Sequence, residues 1–410
     1  MRHVLLLFAL TALPFQPIHA APADLPEARI ARAALDEHPL VRAAEARLRA
    51  AQAEQARLRA GPHEFAVRMG AAQRNVKGAP DQGEWETAIE RGLRLPDKAR
   101  LDERLGGTVV EEAVERVGEA RHEAARQLIA QWYAVLQAQA DARLWQEQAA
   151  LLEQEARIVT RRVAAGDAAR MQVLQVETAR SQAAAQLAQA QTRAQAALAE
   201  LTRHFPSLPV PTGQDQAPAL PAGDEAAWIE RTLARNHELH AARHAAARAR
   251  LAAQRLAAER WPDPVLGLRY AREQGGDERV LGFSLAIALP GEARRAAVVQ
   301  QSAEADAQAE TEAGVARRLA AEAAANWQRA SGAVAAYQSL ADAARAAGRH
   351  AELTRRAFEL GELGLSDVLL ARRAALEARL ALEQARLQAN AAIATLLLDA
   401  HALWPADPLD

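Results

Sequence analysis

The chain has 410 residues and is half hydrophobic and a quarter charged, yet only 4% aromatic. Its apolar content is therefore mainly Ala, Leu and Val, which suits long thin helices better than a broad enzyme core. Its 50 Lys and Arg nearly balance 52 Asp and Glu, for a net charge of −2 with no cysteine, which leaves no basic footprint for nucleic acid and excludes disulfides, thiolate metal sites and N-terminal cysteine acylation.

Residues 1–20 carry a short positive start at Arg2 and His3, an apolar run from Val4 to Leu13 and a cleavage-like Ile18-His19-Ala20. The run is too short to cross a bilayer, so a cleaved export signal is expected. Beyond it no apolar stretch approaches the ~18 residues that a membrane helix needs.

The remainder is written twice, as residues 21–205 and 223–404, with the proline-rich linker 206–222 between them. Each copy opens with a short helix, Leu40 to Ala60 and Leu239 to Glu259, and then breaks at Gly61-Pro62 or Trp261-Pro262-Asp263-Pro264. Two segments of alternating character follow in each copy. Phe65, Val67, Met69 and Ala71 alternate with Ala66, Arg68, Gly70 and Ala72, and Leu281, Phe283, Leu285 and Ile287 alternate with Gly282, Ser284 and Ala286. Period-two alternation around polar turns predicts hairpins, with strands over about 64–77, 84–95, 264–274 and 279–290.

Strands of this length with one apolar face suit an outer-membrane barrel, although soluble hairpins packed on helices have the same pattern. Four strands leave two open edges that lipid does not tolerate, so the membrane reading requires several copies to close a barrel.

Long helices are expected over about 97–164 and 291–360. Leu128, Val135, Ala142, Ala149, Ala156 and Val163 form one seven-residue series, and Ala138, Trp145, Leu152 and Val159 form a second, three residues away. That is a coiled-coil seam. A helix of this length spans about 100 Å, so the molecule is elongated. Gly166 and Gly361 interrupt the pattern, Gly364 reinforces the second turn, and a final Ala, Gln and Leu helix closes each copy.

These features in this order resemble the outer-membrane efflux protein (TolC-like) family. The resemblance rests on the Leu95-Pro96-Asp97-Lys98-Ala99-Arg100 and Leu289-Pro290-Gly291-Glu292-Ala293-Arg294 openings of the long helices. It rests also on the tip pattern kept by Arg356, Phe358, Gly361, Asp367, Val368 and Leu369, and in part by Arg162, Gly166, Val173 and Leu174. The resemblance implies a mainly α fold with a small β part, in which a homotrimer forms a twelve-stranded β-barrel in outer-membrane lipid and a long α-helical barrel in the periplasm.

It also implies a passive duct, without cofactor or enzymatic activity, exporting small molecules or metal ions from a resistance-nodulation-division pump in the inner membrane through a periplasmic adaptor (membrane fusion) protein. Overall likeness leans toward the heavy-metal and cation efflux branch. By carry-over, the tips around Gly166, Asp167, Phe358, Gly361, Leu363 and Gly364 dock the adaptor. Asp367 with Arg355 or Arg356 contributes to a closed gate, with Gln172 where the family often has Asp. Asp367 is equally placed to start a helix, where acidic residues are favoured.

His237, His240 and His244 share one helix face. They could hold a metal ion, or they could be a solvated face beside Glu238 and Arg243. His122-Glu123-Ala124-Ala125-Arg126 begins like a zinc-protease helix but lacks the second histidine, and no nucleophile elbow or phosphate loop occurs. A secreted periplasmic coiled-coil structural or adaptor protein is the competing expectation. It accounts for the helices but not for four amphipathic strands at matched places.

Overall fold

The computed structural model describes residues 22–78 and 80–404; the expected export signal lies outside the described residues. In chain order come α1 (Ala28–Asp36), α2 (Pro39–Ala60), β1 (Ala66–Arg74), β2 (Gln82–Gly92), α3 (Pro96–Ala164) and α4 (Arg170–His204). The second half repeats the series as α5 (Glu225–Arg235), α6 (His237–Ala257), β3 (Val265–Glu273), β4 (Glu278–Ala286), α7 (Glu292–Glu359) and α8 (Leu365–Asp399). All four strands begin or end within a few residues of the alternating segments. α1 and α5 have no counterpart in the sequence reading.

The long helices α3 and α7 have 69 and 68 residues. Each is about 100 Å long at 1.5 Å per residue. Pro96 sits in the first turn of α3, where its missing N–H costs nothing, Asp97 faces the positive end of the dipole, and Arg161 and Arg162 occupy the last turn.

Both long helices end in the same way. At the tip of α3, Asp167 N–H bonds Arg162 C=O (2.8 Å) and Gly166 N–H bonds Val163 C=O (3.1 Å). At the tip of α7, Glu362 bonds Ala357 (2.9 Å) and Gly361 bonds Phe358 (3.0 Å). This is the Schellman arrangement, and Gly166 and Gly361 occupy its left-handed position with φ of 84° and 82°.

α3 is the central strut, packed against α2, α4, α6 and α8, while α7 packs against α5, α6 and α8. The expected seam is real: Leu128, Val135, Leu152, Ala156 and Val159 are buried, and Ala142, Trp145 and Val163 are half-buried. A second buried stripe, Ile129, Trp132, Leu136, Ala140 and Leu144, covers another side of α3 because it is flanked by more than one helix.

The main core lies where the middle of α3 meets α1, α5 and the ends of α4 and α8, around Trp228, Phe205, Leu128 and Leu397. Asp24 ties this region together. Its carboxylate accepts from Gln214 N–H (2.6 Å), Asn390 Nδ2 (2.8 Å) and Arg386 Nη1 (3.2 Å), and its carbonyl accepts from Trp132 Nε1 (2.6 Å). A smaller cluster near the tips joins Ala156, Val159, Val176 and Leu365.

The strands form one antiparallel sheet in the order β1-β2-β3-β4. β2 and β3 come from different repeats, so this pairing stitches the two halves together. β1 and β4 remain edge strands within one chain, with a row of backbone groups open to a neighbour.

Candidate functional site

The register sorts the sheet into two unlike faces, because directly paired residues in an antiparallel ladder share a face. One face carries the rows Val67–Ile89–Leu268–Phe283 and Met69–Thr87–Tyr270–Leu281. All but the half-buried Thr87 and Tyr270 are exposed, with Met69 80%, Leu281 73% and Phe283 72% exposed. At one end of this apolar band the Trp85 and Tyr270 rings stand 5.6 Å apart.

The opposite face is polar and internally paired. Arg68 meets Glu90 (3.2 Å), Arg269 meets Glu86 (2.6 Å), and Arg74 meets Glu84 (2.5 Å). An apolar face turned outward against a polar, charge-paired face is the inverse of a soluble sheet. It is the arrangement of a wall between hydrocarbon and water. No helix among the described residues is long and apolar enough to cross a membrane.

Below the sheet the chain narrows into a buried ionic junction. Lys98 is 1% exposed and contacts Glu259 (2.9 Å) and Asp263 (3.0 Å). Asp263 also accepts from Leu95 N–H (3.1 Å) and pairs with His63 (2.7 Å). Asp102 joins Arg94 (3.0 Å) to Arg255 (2.6 Å). Burial alone would raise the Asp263 and Glu259 carboxyls, but the hydrogen bonds and the Lys98 charge leave both below the usual carboxylate range.

An arginine plays a like part in each repeat, although at unmatched positions: Arg94 precedes the Leu95-Pro96 opening and Arg294 ends the Leu289-Pro290 one. Arg94 donates to the Leu58 and Arg59 carbonyls at the end of α2, at 2.6 and 2.7 Å. Arg294 donates to the Glu259 carbonyl just past α6, at 3.1 Å. In each repeat an arginine following the hairpin satisfies carbonyls left open by the preceding short helix.

At the far end of the helices, Gly166, Asp167, Gly361, Leu363 and Gly364 form two adjacent exposed turns. Phe358 is half-buried beneath them, with the Arg162 guanidinium 5.3 Å from its ring centre. The gate residues expected from sequence do not meet one another here. Asp367 Oδ2 accepts from Gly364 N–H (3.0 Å) and starts α8 as a capping residue. Arg355 bonds Glu352 and Glu359, and Arg356 bonds Glu352, all within α7. Gln172 lies in the first turn of α4 with its side-chain oxygen buried and lacking a hydrogen-bond partner.

Three other pairs, invisible in the sequence, link α3 to α8. Glu155 meets Arg372 (2.9 Å), Glu147 meets Arg379 (2.9 Å), and Arg143 meets Glu383 (3.6 Å). As the number rises on one helix it falls on the other, so the pairs lie along a single antiparallel seam between the two helical hairpins.

His237, His240 and His244 do share a helix face, and each meets a carboxylate on α3. His237 lies 2.8 Å and His240 3.7 Å from Glu115, and His244 lies 3.3 Å from Glu111. Gly118 makes the close approach possible, since a Cβ there would stand 2.5 Å from the His237 ring. No group of three or more His, Asp or Glu among the described residues has a geometry that could hold a metal ion.

The sequence shows His122 only as the start of an incomplete zinc-protease pattern and gives no sign of His401, yet their rings stack 5.0 Å apart beside His237. His122 Nε2 donates to the Leu398 carbonyl (2.8 Å), and burial, reinforced by the Arg126 charge, lowers its pKa to about 3. Burial also raises the Asp399 and Glu119 carboxyls nearby, against the pull of Arg126.

No family model and no curated relative matches the chain. Solved structures do. The CmeC outer membrane channel of Campylobacter jejuni superposes with a TM-score of 0.77 at 12% identity, covering 99% of this chain and 95% of that one. The outer membrane protein VceC of Vibrio cholerae gives 0.74 at 17% identity, over 92% of this chain and 95% of that one. The open state of the MtrE outer membrane channel of Neisseria gonorrhoeae gives 0.68 at 17% identity, over 92% and 89%. The chain therefore has the fold of these outer-membrane channels, which is the TolC-like fold that its sequence resembles.

Proposed function

We propose that this protein is the outer-membrane channel component of a tripartite efflux system, a passive duct closed by three copies of the chain. The observation that carries the reading is the inverted sheet, whose exposed Met69, Leu281 and Phe283 lie behind a polar face of paired Arg and Glu. Lipid on one side and water on the other satisfies both faces, and pairing β4 of one copy with β1 of the next removes the open edges. Three copies give twelve strands, and the long helices below them form the periplasmic tube.

In this reading a periplasmic adaptor docks at the turns around Gly166, Asp167, Phe358, Gly361, Leu363 and Gly364, and an inner-membrane resistance-nodulation-division pump supplies the cargo, small molecules or metal ions. We place the closing contacts along the α3–α8 seam of Glu147, Glu155, Arg372 and Arg379. Asp367 has the prior task of starting α8, and Arg355 and Arg356 are held within α7. We assign His237, His240 and His244 to the α3–α6 seam between repeats.

The test is the mass of the protein extracted in detergent from isolated outer membranes, by light scattering with the detergent contribution subtracted. A particle of three chains is expected. A monomer recovered from the soluble periplasmic fraction would overturn the proposal in favour of a secreted coiled-coil protein.

A further inference from the structure

Arg272 and Arg279 are direct partners across β3 and β4, and they lie on the apolar face of the sheet. Two like charges placed directly opposite on a ladder repel. Every arginine on the polar face, Arg68, Arg74 and Arg269, has a carboxylate partner. Among the described residues neither Arg272 nor Arg279 takes part in an ion pair. The Arg272 Nε is buried without a hydrogen-bond acceptor, and its Nη2 reaches only the Gly276 carbonyl at 3.2 Å. The flanking carboxylates, Glu273 and Glu278, project from the opposite face, and Glu273 already contacts Arg74 and Arg269.

Their height on the sheet is equally telling. The row Ala71–Trp85–Arg272–Arg279 closes the apolar band at the end bearing the hairpin turns, which is the end away from the long helices. Trp85 lies in this row with Tyr270 in the next, and such rings mark the level where hydrocarbon gives way to headgroups. If the helices extend into the periplasm, this rim lies in the outer leaflet.

We propose that Arg272 and Arg279 together form a site for the phosphate of an outer-leaflet lipid, the phosphorylated sugar headgroup of lipopolysaccharide, whose acyl chains lie along Leu281, Phe283 and Leu268. A phosphate between the two guanidinium groups replaces their repulsion with two charge-assisted contacts. The apolar strand face below covers the attached chains. The inference rests on the outer-membrane reading above.

The test uses the full-length protein purified in detergent, with thermal unfolding and native mass spectrometry as readouts. Bis-phosphorylated lipid A, fully dephosphorylated lipid A and inorganic phosphate are added separately. The variants are Arg272→Gln with Arg279→Gln, and Arg269→Gln as a control on the polar face. Bis-phosphorylated lipid A is expected to stay bound and to raise the melting temperature of the parent and of Arg269→Gln. The double variant is expected to bind it at least about tenfold more weakly.

Equal affinity in the double variant, or equal stabilisation by dephosphorylated lipid A, would overturn the site. An equal effect of inorganic phosphate would show an anion site without lipid and overturn it too. Fractionation of the same cells separates the two readings. Protein in the outer membrane with unchanged lipid binding in the double variant sinks only this site, whereas protein absent from that membrane sinks the channel as well.

Discussion

At Gly166 and Gly361 the backbone takes φ of 84° and 82°, a region where a side chain's Cβ crowds the following carbonyl. Nothing stands within 4 Å of a Cβ built at either site, so the cost of a substitution there is conformational alone. Gly166→Ala and Gly361→Ala are each expected to lose about 1 kcal/mol. Denaturant unfolding of the full chain checks this, and an unchanged midpoint would refute it.

Asp24 is a harsher case. Its removal leaves Gln214 N–H and Asn390 without their acceptor and weakens the hold on buried Arg386. Asp24→Ala is therefore expected to cost about 3 kcal/mol, well beyond a surface substitution.

His122 sets a pH dependence. Its pKa falls from an ordinary 6.5 to about 3 in the folded chain. The unfolded chain therefore binds more protons, and this contribution, fully present above 6.5, fades as pH falls toward 3. Asp399 and Glu119 act in the opposite sense, because their raised carboxyls take up protons in the folded chain first. The difference between parent and His122→Gln isolates the imidazole. Melting temperatures from pH 7 to 4 should fall less steeply in the variant, and parallel curves would refute the assignment.

Among elements, the α3–α8 seam discriminates best. The Glu155 and Arg372 side chains are 13% and 20% exposed, while those of Glu147 and Arg379 are 45% and 53% exposed. Solvent screens the second pair, so Glu155→Gln should loosen the seam by about 1 kcal/mol and Glu147→Gln by no more than about 0.5 kcal/mol. In planar bilayers Glu155→Gln is expected to raise the open fraction of the reconstituted channel, and exchanging the charges of residues 155 and 372 to restore it. Equal open fractions in all three proteins would remove the seam from gating.

These pairs also show where sequence reading stops. The hairpins and the duplication were legible because residues such as Val67, Met69 and Phe283 repeat at period two and the glycine tips recur at matched positions. The main core was not, because Trp228 packs on Trp327 and Trp132 on Asp24 across about a hundred residues. Nor were the helices α1 and α5, which are short and take their stability from that core. Lys98 and Asp263 carry no pattern that announces a buried pair between repeats. Asp367 was legible in both its possible roles, and local hydrogen bonding gave it the helix start.

For the whole molecule, the open edges of β1 and β4 make a specific forecast. With no native cysteine, Val67→Cys on β1 and Leu285→Cys on β4 can be introduced without background. In outer membranes a flexible thiol cross-linker should produce covalent dimers and trimers and nothing larger. Monomers alone would show that these edges do not meet between copies.

α3 runs unbroken from the sheet junction to its tip at Ala164. Tyr133, in the main core, is 31 residues short of that end. The arm from there to the tip, with α4 and α8 packed along it, is therefore about 45 Å long. Such a rod is a lever with its fulcrum in the core. A bend of about 5° in the helix there carries the tip about 4 Å, while the segment on the other side of the bend stays pinned at the junction by Lys98 and Asp102. Mechanical advantage of this kind lets packing changes too small to disturb the core become displacements comparable to an atom's diameter at the tip.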